Sequence, residues 1–236
     1  MNTYISSSSV YKDGGYFHKH PQWHTEHSAW KAAQIVKMIK RANLDPRTLC
    51  EVGCGAGEVL RLIQERISSQ CSLRGFDISP QAISLSQARA NDRLQFELIE
   101  YEGDINGYYD LLVSVDVVEH VENYLGFLRC LRSKATYKIF HVPLDLSVQS
   151  ILRSHGLIER RDSHNHLHYF SKEVFLRSLT DAGYKVCDVL YTKRSIEIGL
   201  GREKSLMNVP RRIGFTIAPD FTVRVLGGFS LAVLAV

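Results

Sequence analysis

The chain has 236 residues, of which 44% are hydrophobic and 23% are charged. These proportions are ordinary for a globular domain, and they exclude a collagen-like or low-complexity chain. The length fits one α/β domain with room for additional segments. The formal net charge of +4 comes without a long basic run, so nucleic acid is not the expected partner.

Five cysteines occur along the chain, an odd number with no C-x-x-C pair. The sequence therefore indicates neither a disulfide framework nor a zinc knuckle. The first residues lack the basic and apolar regions of an export signal, and the apolar run 226–236 is too short to span a bilayer. We predict a cytoplasmic protein without a membrane span, present as a monomer or a homodimer.

Helix and strand signals alternate along the chain after residue 27. Apolar residues at helical spacing predict a helix over 28–42, with Ser28 as its N-cap. Strands are predicted over 48–52, 72–77, 94–99, 110–115, 137–142, 185–191 and 227–236, and further helices over 58–68, 80–90, 122–132 and 171–182. Residues 143–169 are expected to be irregular, and residues 192–224 to form a long connector. This alternation predicts an α/β fold of parallel strands with right-handed crossovers.

The most informative segment is 49–60, which reads Leu-Cys-Glu-Val-Gly-Cys-Gly-Ala-Gly-Glu-Val-Leu. An apolar run ends at Glu51, and Gly53, Gly55 and Gly57 follow at alternate positions. Glycine reaches positive φ and has no Cβ, so such a loop exposes its backbone to a ligand. A dinucleotide loop, G-x-G-x-x-G, needs its third glycine one residue later. The carboxylate of Glu51 would also repel a pyrophosphate, whereas it suits an ammonium group.

This combination resembles motif I of the class I S-adenosylmethionine (SAM) methyltransferases, whose donor carries a sulfonium and an amino-acid head. The resemblance covers nearly the whole chain. It includes segments that look like pieces of an uncharacterised bacterial subfamily, at 21–26, 141–147, 166–171, 210–212 and 226–231. It implies a three-layer Rossmann-like fold with a seven-stranded, mostly parallel sheet and an antiparallel last strand. It also implies SAM as the cofactor and leaves the acceptor open.

The resemblance implies a single domain over residues 1–236. Within it, residues 1–45 are expected to form an N-terminal cap and helix, and residues 46–142 the SAM-binding core. Residues 143–170 are expected to form an insertion on the substrate side, and residues 171–236 the C-terminal half of the sheet.

Ligands of open parallel sheets bind beyond the carboxyl ends of the strands, so residues at those ends are candidate cofactor contacts. Asp77 can accept two hydrogen bonds from ribose hydroxyls, although it can also cap the next helix. Glu100 or Asp104 can bind the adenine amine, and we prefer Glu100 because it is better aligned with its strand. The predicted cofactor residues are Trp23, Glu51, Gly53, Cys54, Gly55, Gly57, Asp77, Ile78, Glu100, Asp116 and Val117.

Residues 114–121, Ser-Val-Asp-Val-Val-Glu-His-Val, resemble a signature of the ubiquinone-biosynthesis-like methyltransferases. That resemblance places Asp116 beside the methionine part of SAM and His120 towards the substrate. In the small-RNA terminal 2′-O-methyltransferases, a similar Glu-x-x-Glu-His binds a divalent metal with later histidines. Ligation of a metal by Asp116, Glu119 and His120 therefore stays open. Because the short motif recurs in metal-free enzymes, we predict no metal.

The chain has ten histidines, and their placement is uneven. One group lies at 18–27 and another at 155–168, two segments that the resemblance places over the SAM cleft as a lid. Histidine titrates near neutrality and can remove a proton from an acceptor. The predicted catalytic residues are His24, His120 and His141.

The sequence thus predicts an enzyme that transfers a methyl group from SAM to O or N of a small or medium-sized acceptor. Two alternatives stay open. The first is RNA methylation through the basic loops at 193–212, with or without a metal. The second is a SAM-binding protein that transfers no methyl group.

Overall fold

The computed structural model describes residues 9–19, 23, 25–101, 104–153, 155–198 and 201–236. Seven strands form one sheet in this part of the chain. They are β1 (Thr48–Val52), β2 (Ser72–Asp77), β3 (Leu94–Leu98), β4 (Tyr109–Val115), β5 (Ala135–Pro143), β6 (Val186–Thr192) and β7 (Ser230–Ala235). The sheet has the strand order β3-β2-β1-β4-β5-β7-β6.

Helices cover both faces of this sheet. They are α1 (Ser9–Lys12), α2 (Gly15–Lys19), α3 (Ser28–Arg41), α4 (Glu58–Gln64), α5 (Pro80–Gln87), α6 (Tyr124–Arg132), α7 (Val148–Leu152), α8 (Gly156–His164), α9 (Lys172–Asp181), α10 (Arg194–Glu197), α11 (Gly201–Ile217) and α12 (Pro219–Leu226). Two 3₁₀ turns occupy Thr25–His27 and Val118–His120. Among the described residues, no helix combines the length and apolar character needed to cross a bilayer.

Strand directions follow the predicted fold. β1 pairs in parallel with β2 and β4, and β4 pairs in parallel with β5. The last strand, β7, lies antiparallel between β5 and β6. The prediction of a mostly parallel seven-stranded sheet with an antiparallel last strand is therefore confirmed. Because the chain proceeds outwards in opposite directions from β1 and β4, a crevice opens at their carboxyl ends.

The core has two halves, one on each face of the sheet. Alternate residues of a strand point to opposite faces. Leu49 of β1 packs in the half that also holds Ile35 of α3. Its neighbour Cys50 packs in the half that holds Phe127 of α6 and Phe175 of α9.

Several local predictions were wrong. The segment 143–169, predicted to be irregular, contains α7 and α8, and the connector 192–224 contains α10, α11 and α12. Helix α3 begins at Ser28, but its N-cap is His27, which makes no side-chain capping bond. Ser147 explains the start of α7, because its hydroxyl and that of Ser150 form a reciprocal capping box. The last strand, predicted over 227–236, covers only Ser230–Ala235. The residue before the predicted strand, Leu226, is the last residue of α12.

Candidate active site

Two adjoining cavities occupy the crevice at the carboxyl ends of β1, β2 and β4. They enclose about 860 and 640 Å³ of space, open mouth included, which is the size range of cofactor sites. Both are lined by Trp23, Gly53, Asp116 and His120, so they form one continuous cleft. Of the predicted cofactor residues, those that line the cleft are Trp23, Glu51, Gly53, Cys54, Gly55, Asp77, Ile78, Asp116 and Val117.

The glycine loop is held against the sheet by backbone hydrogen bonds. The amides of Gly53 and Cys54 both donate to the carbonyl oxygen of Phe76, at 2.8 and 3.0 Å. Gly53 has a φ of 77°, and a Cβ at this position would lie 2.4 Å from Cγ2 of Val117. Only glycine fits this conformation at this close approach. Because Gly53 has no side chain, its backbone atoms are exposed to the cleft.

Glu51 is a buried carboxylate at the end of β1. Its side chain lines the cleft, the residue is 2% exposed, and Oε2 has no hydrogen-bond partner among the described residues. Burial raises the pKa of Glu51 to about 8, an effect that Lys31 opposes and Asp77 reinforces. A buried carboxylate without a partner is costly. The site is therefore suited to a cationic ligand group.

Asp77 holds the glycine loop from the end of β2. Its Oδ2 accepts a hydrogen bond from the amide of Gly55 at 2.8 Å, and its Oδ1 accepts one from the amide of Ser79 at 2.9 Å. The N-cap of α5 is Ser79, whose hydroxyl accepts from the amide of Ala82. The capping role considered for Asp77 thus belongs to Ser79, and contact of Asp77 with a ribose stays a prediction.

Two predicted cofactor residues are not in the cleft lining. Gly57 is the N-cap of α4. A Cβ on Gly57 would collide with Phe96, so this glycine serves the packing of α4 on the sheet. Glu100 is exposed, and its carbonyl oxygen accepts a hydrogen bond from Nζ of Lys12. Ile99, one residue earlier, lines the cleft instead. Adenine binding by Glu100 therefore stays a prediction without support from the lining.

Asp116 directly follows β4 and has a left-handed conformation, with φ of 53°. Its Oδ1 lies 2.6 Å from Nδ1 of His141, and its Oδ2 lies 2.8 Å from Nζ of Lys31. Burial alone raises the pKa of Asp116, but Lys31 and His141 outweigh it and hold the pKa well below its ordinary value. Asp116 is therefore an ionised carboxylate with fixed orientation.

His141, predicted to be catalytic, is not among the residues that line the cleft in the described part of the chain. It is 1% exposed, and its two ring nitrogens contact Asp116 and Thr192. The edge of its ring packs against Trp30, with the ring centroids 5.7 Å apart. Both ring nitrogens are thus engaged within the protein, and a catalytic role of His141 stays a prediction without support from the cleft lining.

His120 lines both cavities of the cleft, and its catalytic role stays a prediction. Its Nδ1 is 3.0 Å from the carbonyl oxygen of Asn165, and its ring packs edge-on against that of His166. Burial, reinforced by His166, lowers the pKa of His120 to about 3. The imidazole is therefore neutral at physiological pH.

Glu119, beside His120, is fully buried with neither carboxylate oxygen hydrogen-bonded in the described part of the chain. Burial, together with the charge of Asp116, raises its pKa well above the ordinary value. Glu119, His120 and His166 each offer a ligand atom, and these atoms lie within 4.8 Å of one another.

Sequence reasoning missed several residues of the cleft. Lys31 carries no motif, since it is one lysine on an amphipathic helix. Tyr11 and Arg194 also line the cleft, and no local pattern identifies them. His166 was one of a group of lid histidines, and only the fold brings it to His120. The third predicted catalytic residue, His24, lies outside the described residues.

A family model described as a methyltransferase domain matches residues 23–189, which is more than half of the chain. The chain belongs to this family. The family predicted from the glycine loop is confirmed. The match begins at Trp23, at the edge of the cleft, and extends into β6.

Two curated relatives resemble the chain over part of its length. Ajmaline N-methyltransferase of Rauvolfia serpentina is 30% identical over 114 residues, which cover 43% of this chain and 38% of the relative. Trans-aconitate 2-methyltransferase of Streptomyces avermitilis is 29% identical over 111 residues, which cover 44% and 41%. The chain thus spans about two fifths of the length of these relatives.

Solved structures share the fold over a longer range. Magnesium protoporphyrin IX methyltransferase of Synechocystis PCC 6803, solved with bound SAM, has a TM-score of 0.63 at 14% identity. The match covers 100% of this chain and 99% of that one. The same enzyme is also known with bound SAH. SAM, the predicted cofactor, is the methyl donor of this family.

Proposed function

We propose that the chain transfers the methyl group of SAM to an oxygen or nitrogen atom of a small or medium-sized acceptor. The observation that carries the proposal is the buried carboxylate of Glu51 beside the glycine loop. Its Oε2 has no partner among the described residues, and Glu51 is one of the residues that line the cleft. The amino group of a methionine moiety supplies the cation that such a carboxylate lacks.

The other donor contacts follow from the order of the strands. The backbone of the glycine loop would hold the methionine part, with Asp116 next to it at the end of β4. Asp77 would hold the ribose, while Ile78 and Val117 provide apolar surface in the second cavity. The polar part of the cleft would thus hold the charged methionine end of SAM, and the more apolar part its nucleoside end.

SAM supplies a methyl group already activated on a sulfonium, so the protein's task is alignment and exclusion of water. Trp23 lines both cavities and covers Gly55. His120 presents a ring nitrogen to the cleft, and because its pKa is about 3 it is a hydrogen-bond acceptor or a ligand rather than a strong base.

The contacts that two arginines make within the protein favour a small acceptor over RNA. Arg211 is buried, and its guanidinium donates to the carbonyl oxygens of Gly227 and Leu226. Arg160 pairs with Asp145. Arg211 is thus engaged inside the protein and is not available to phosphate groups, and Arg160 is held in an ion pair with a buried carboxylate. A cytoplasmic location and a monomeric or homodimeric state complete the proposal.

The donor assignment is tested by calorimetry with SAM and the variant Glu51→Gln. Loss of one charge-assisted contact, about 1.5–3 kcal/mol, is expected to weaken SAM binding about 10–100-fold. Glu65→Gln is the matched control, because Glu65 lies on the far end of α4 and half of its side chain is exposed. Equal SAM affinity of Glu51→Gln and the unchanged protein would contradict the assignment.

The acceptor is tested with methyl-labelled SAM and a fractionated extract of small molecules. The proposal expects label in a small product on O or N. Label confined to RNA would replace it with the RNA alternative. Tight SAM binding without any transfer would replace it with the non-catalytic alternative.

A further inference from the structure

Glu119, His120 and His166 form a group of potential metal ligands at the edge of the cleft. Among the described residues, one ligand atom from each lies within 4.8 Å of the other two. Glu119 and His120 belong to the 3₁₀ turn after β4, and His166 follows α8. Two segments that are distant in the chain thus bring three potential metal ligands together.

Of the three residues, Glu119 is the one whose carboxylate most needs a bound cation. Its side chain is fully buried, and neither carboxylate oxygen has a hydrogen-bond partner among the described residues. Within this group, Nε2 of the neutral His120 lies 3.9 Å from Oε1 of Glu119 and supplies no positive charge. A buried carboxylate in this state costs several kcal/mol unless a cation binds it.

The two histidines have the tautomers that a cation requires. Nδ1 of His120 faces the carbonyl oxygen of Asn165 at 3.0 Å, and Nδ1 of His166 faces Oδ2 of Asp145 at 2.6 Å. Carbonyl and carboxylate oxygens only accept hydrogen bonds, so both Nδ1 atoms must donate. The lone pair of each ring is therefore on Nε2, which is free to bind a metal.

Asp145 completes the arrangement behind His166. It is buried and also pairs with Nη1 of Arg160 at 2.7 Å. A carboxylate that orients a histidine and raises its basicity is a recurrent support of metal-bound histidines.

We propose that Glu119, His120 and His166 bind one divalent cation, a revision of the metal-free site that the sequence favoured. Two imidazoles and one carboxylate favour Zn²⁺, Co²⁺ or Mn²⁺ over the oxygen-seeking Mg²⁺ and Ca²⁺. The three residues line the same cavity as Gly53 and Glu51, so the remaining coordination positions open towards the donor site.

A cation at this place has a direct consequence for the reaction. It would bind a hydroxyl oxygen of the acceptor and lower the pKa of that hydroxyl, which then loses its proton to solvent; the oxygen forms the new bond to the methyl carbon as the bond from that carbon to the sulfonium sulfur breaks, and S-adenosylhomocysteine leaves. This consequence rests on the proposed function, whereas the binding of the cation does not.

The test uses the full chain, stripped of metal with a chelator and titrated with Co²⁺, whose visible absorption reports ligation, and with Zn²⁺ by calorimetry. One ion per chain is expected. Glu119→Gln and His166→Ala are each expected to weaken binding at least tenfold. His155→Ala is the matched control, because His155 is exposed outside the cluster, and its affinity is expected to equal that of the unchanged chain.

Thermal unfolding gives a second readout. Zn²⁺ is expected to raise the melting temperature of the unchanged chain and of His155→Ala, and to leave that of Glu119→Gln in place. If Glu119→Gln does not fold, His166→Ala carries the comparison. Equal metal affinity of these variants and the unchanged chain, or no stoichiometric binding at all, overturns the proposal. SAM titrations of the same samples test the SAM site separately. A failure of the metal proposal is thereby distinguished from a failure of the proposed SAM binding.

Discussion

Lys31 and Asp116 form an ion pair that joins α3 to the end of β4, with Nζ of Lys31 2.8 Å from Oδ2 of Asp116. Both side chains are mostly shielded, at 17% and 16% exposure. The pair lies beside the glycine loop, since Lys31, Asp116 and Gly53 all line the same cavity. It fixes the carboxylate whose other oxygen contacts His141.

Replacement of Lys31 by methionine tests this link. The variant retains the aliphatic stem but leaves one oxygen of the shielded Asp116 without its cation, so we expect it to lower the free energy of unfolding by about 1–3 kcal/mol. Urea denaturation measures the loss. Lys37→Met is the matched control, because Lys37 is exposed on the same helix. Equal stability of both variants would show that the pair contributes nothing.

Replacement of Asp77 by alanine tests the ribose contact. We expect SAM affinity to fall by about 1–3 kcal/mol, because charge-assisted hydrogen bonds to the ribose are lost. Asp77 also accepts from the amides of Gly55 and Ser79, so the melting temperature is measured alongside the calorimetric titration. Unchanged affinity refutes the ribose assignment, whatever the effect on stability.

The sequence predicts the cofactor half of the fold well because its signals are local. The predicted bounds of β1 and β2, 48–52 and 72–77, coincide with those in the structure. β1 is a short, mostly apolar run that leads into the glycine loop, and β2 is a short strand that begins with alternating exposed and buried residues and ends just before Ser79 and Pro80. Glu51 could be placed for the same reason, since the end of β1 fixes its position.

The segments after β5, which include α8 and α11, could not be predicted from local signals. Helix α8 is polar and has no buried residue, so its sequence carries little apolar periodicity. Helix α11 contains Pro210 in its interior, which argues against a helix on local grounds. The contacts of His166 with Asp145 and His120 arise only when α8 folds back over the cleft. Tertiary packing decides these features.

Glu58 gives a pH dependence with a defined sign. The hydrogen bond from Arg61 is the main cause of its lowered pKa; burial opposes the shift, and Arg89 reinforces it, giving a pKa of about 2. A lowered pKa in the folded state contributes stability that is complete above the unfolded value of about 4.5 and is lost as the pH falls towards 2.

We therefore expect the unchanged chain to lose about 1–2 kcal/mol more than Glu58→Gln between pH 6 and pH 3, after allowance for partial solvent screening. Urea denaturation at a series of pH values measures the difference. Arg89→Gln retains the Arg61 bond and is expected to show an intermediate slope. Parallel pH profiles for all three proteins would contradict the role of this ion pair.

Asp145 is expected to control metal affinity without touching the metal. In Asp145→Asn, the side chain keeps its shape but loses the charge that orients Nδ1–H of His166 and pairs with Arg160. Loss of such a supporting carboxylate is expected to weaken Co²⁺ binding about 10–100-fold while one ion per chain still binds. The Co²⁺ absorption spectrum measures both quantities. A structural role alone would lower the melting temperature and leave the Co²⁺ affinity of the folded protein unchanged, and that outcome would remove Asp145 from the metal site.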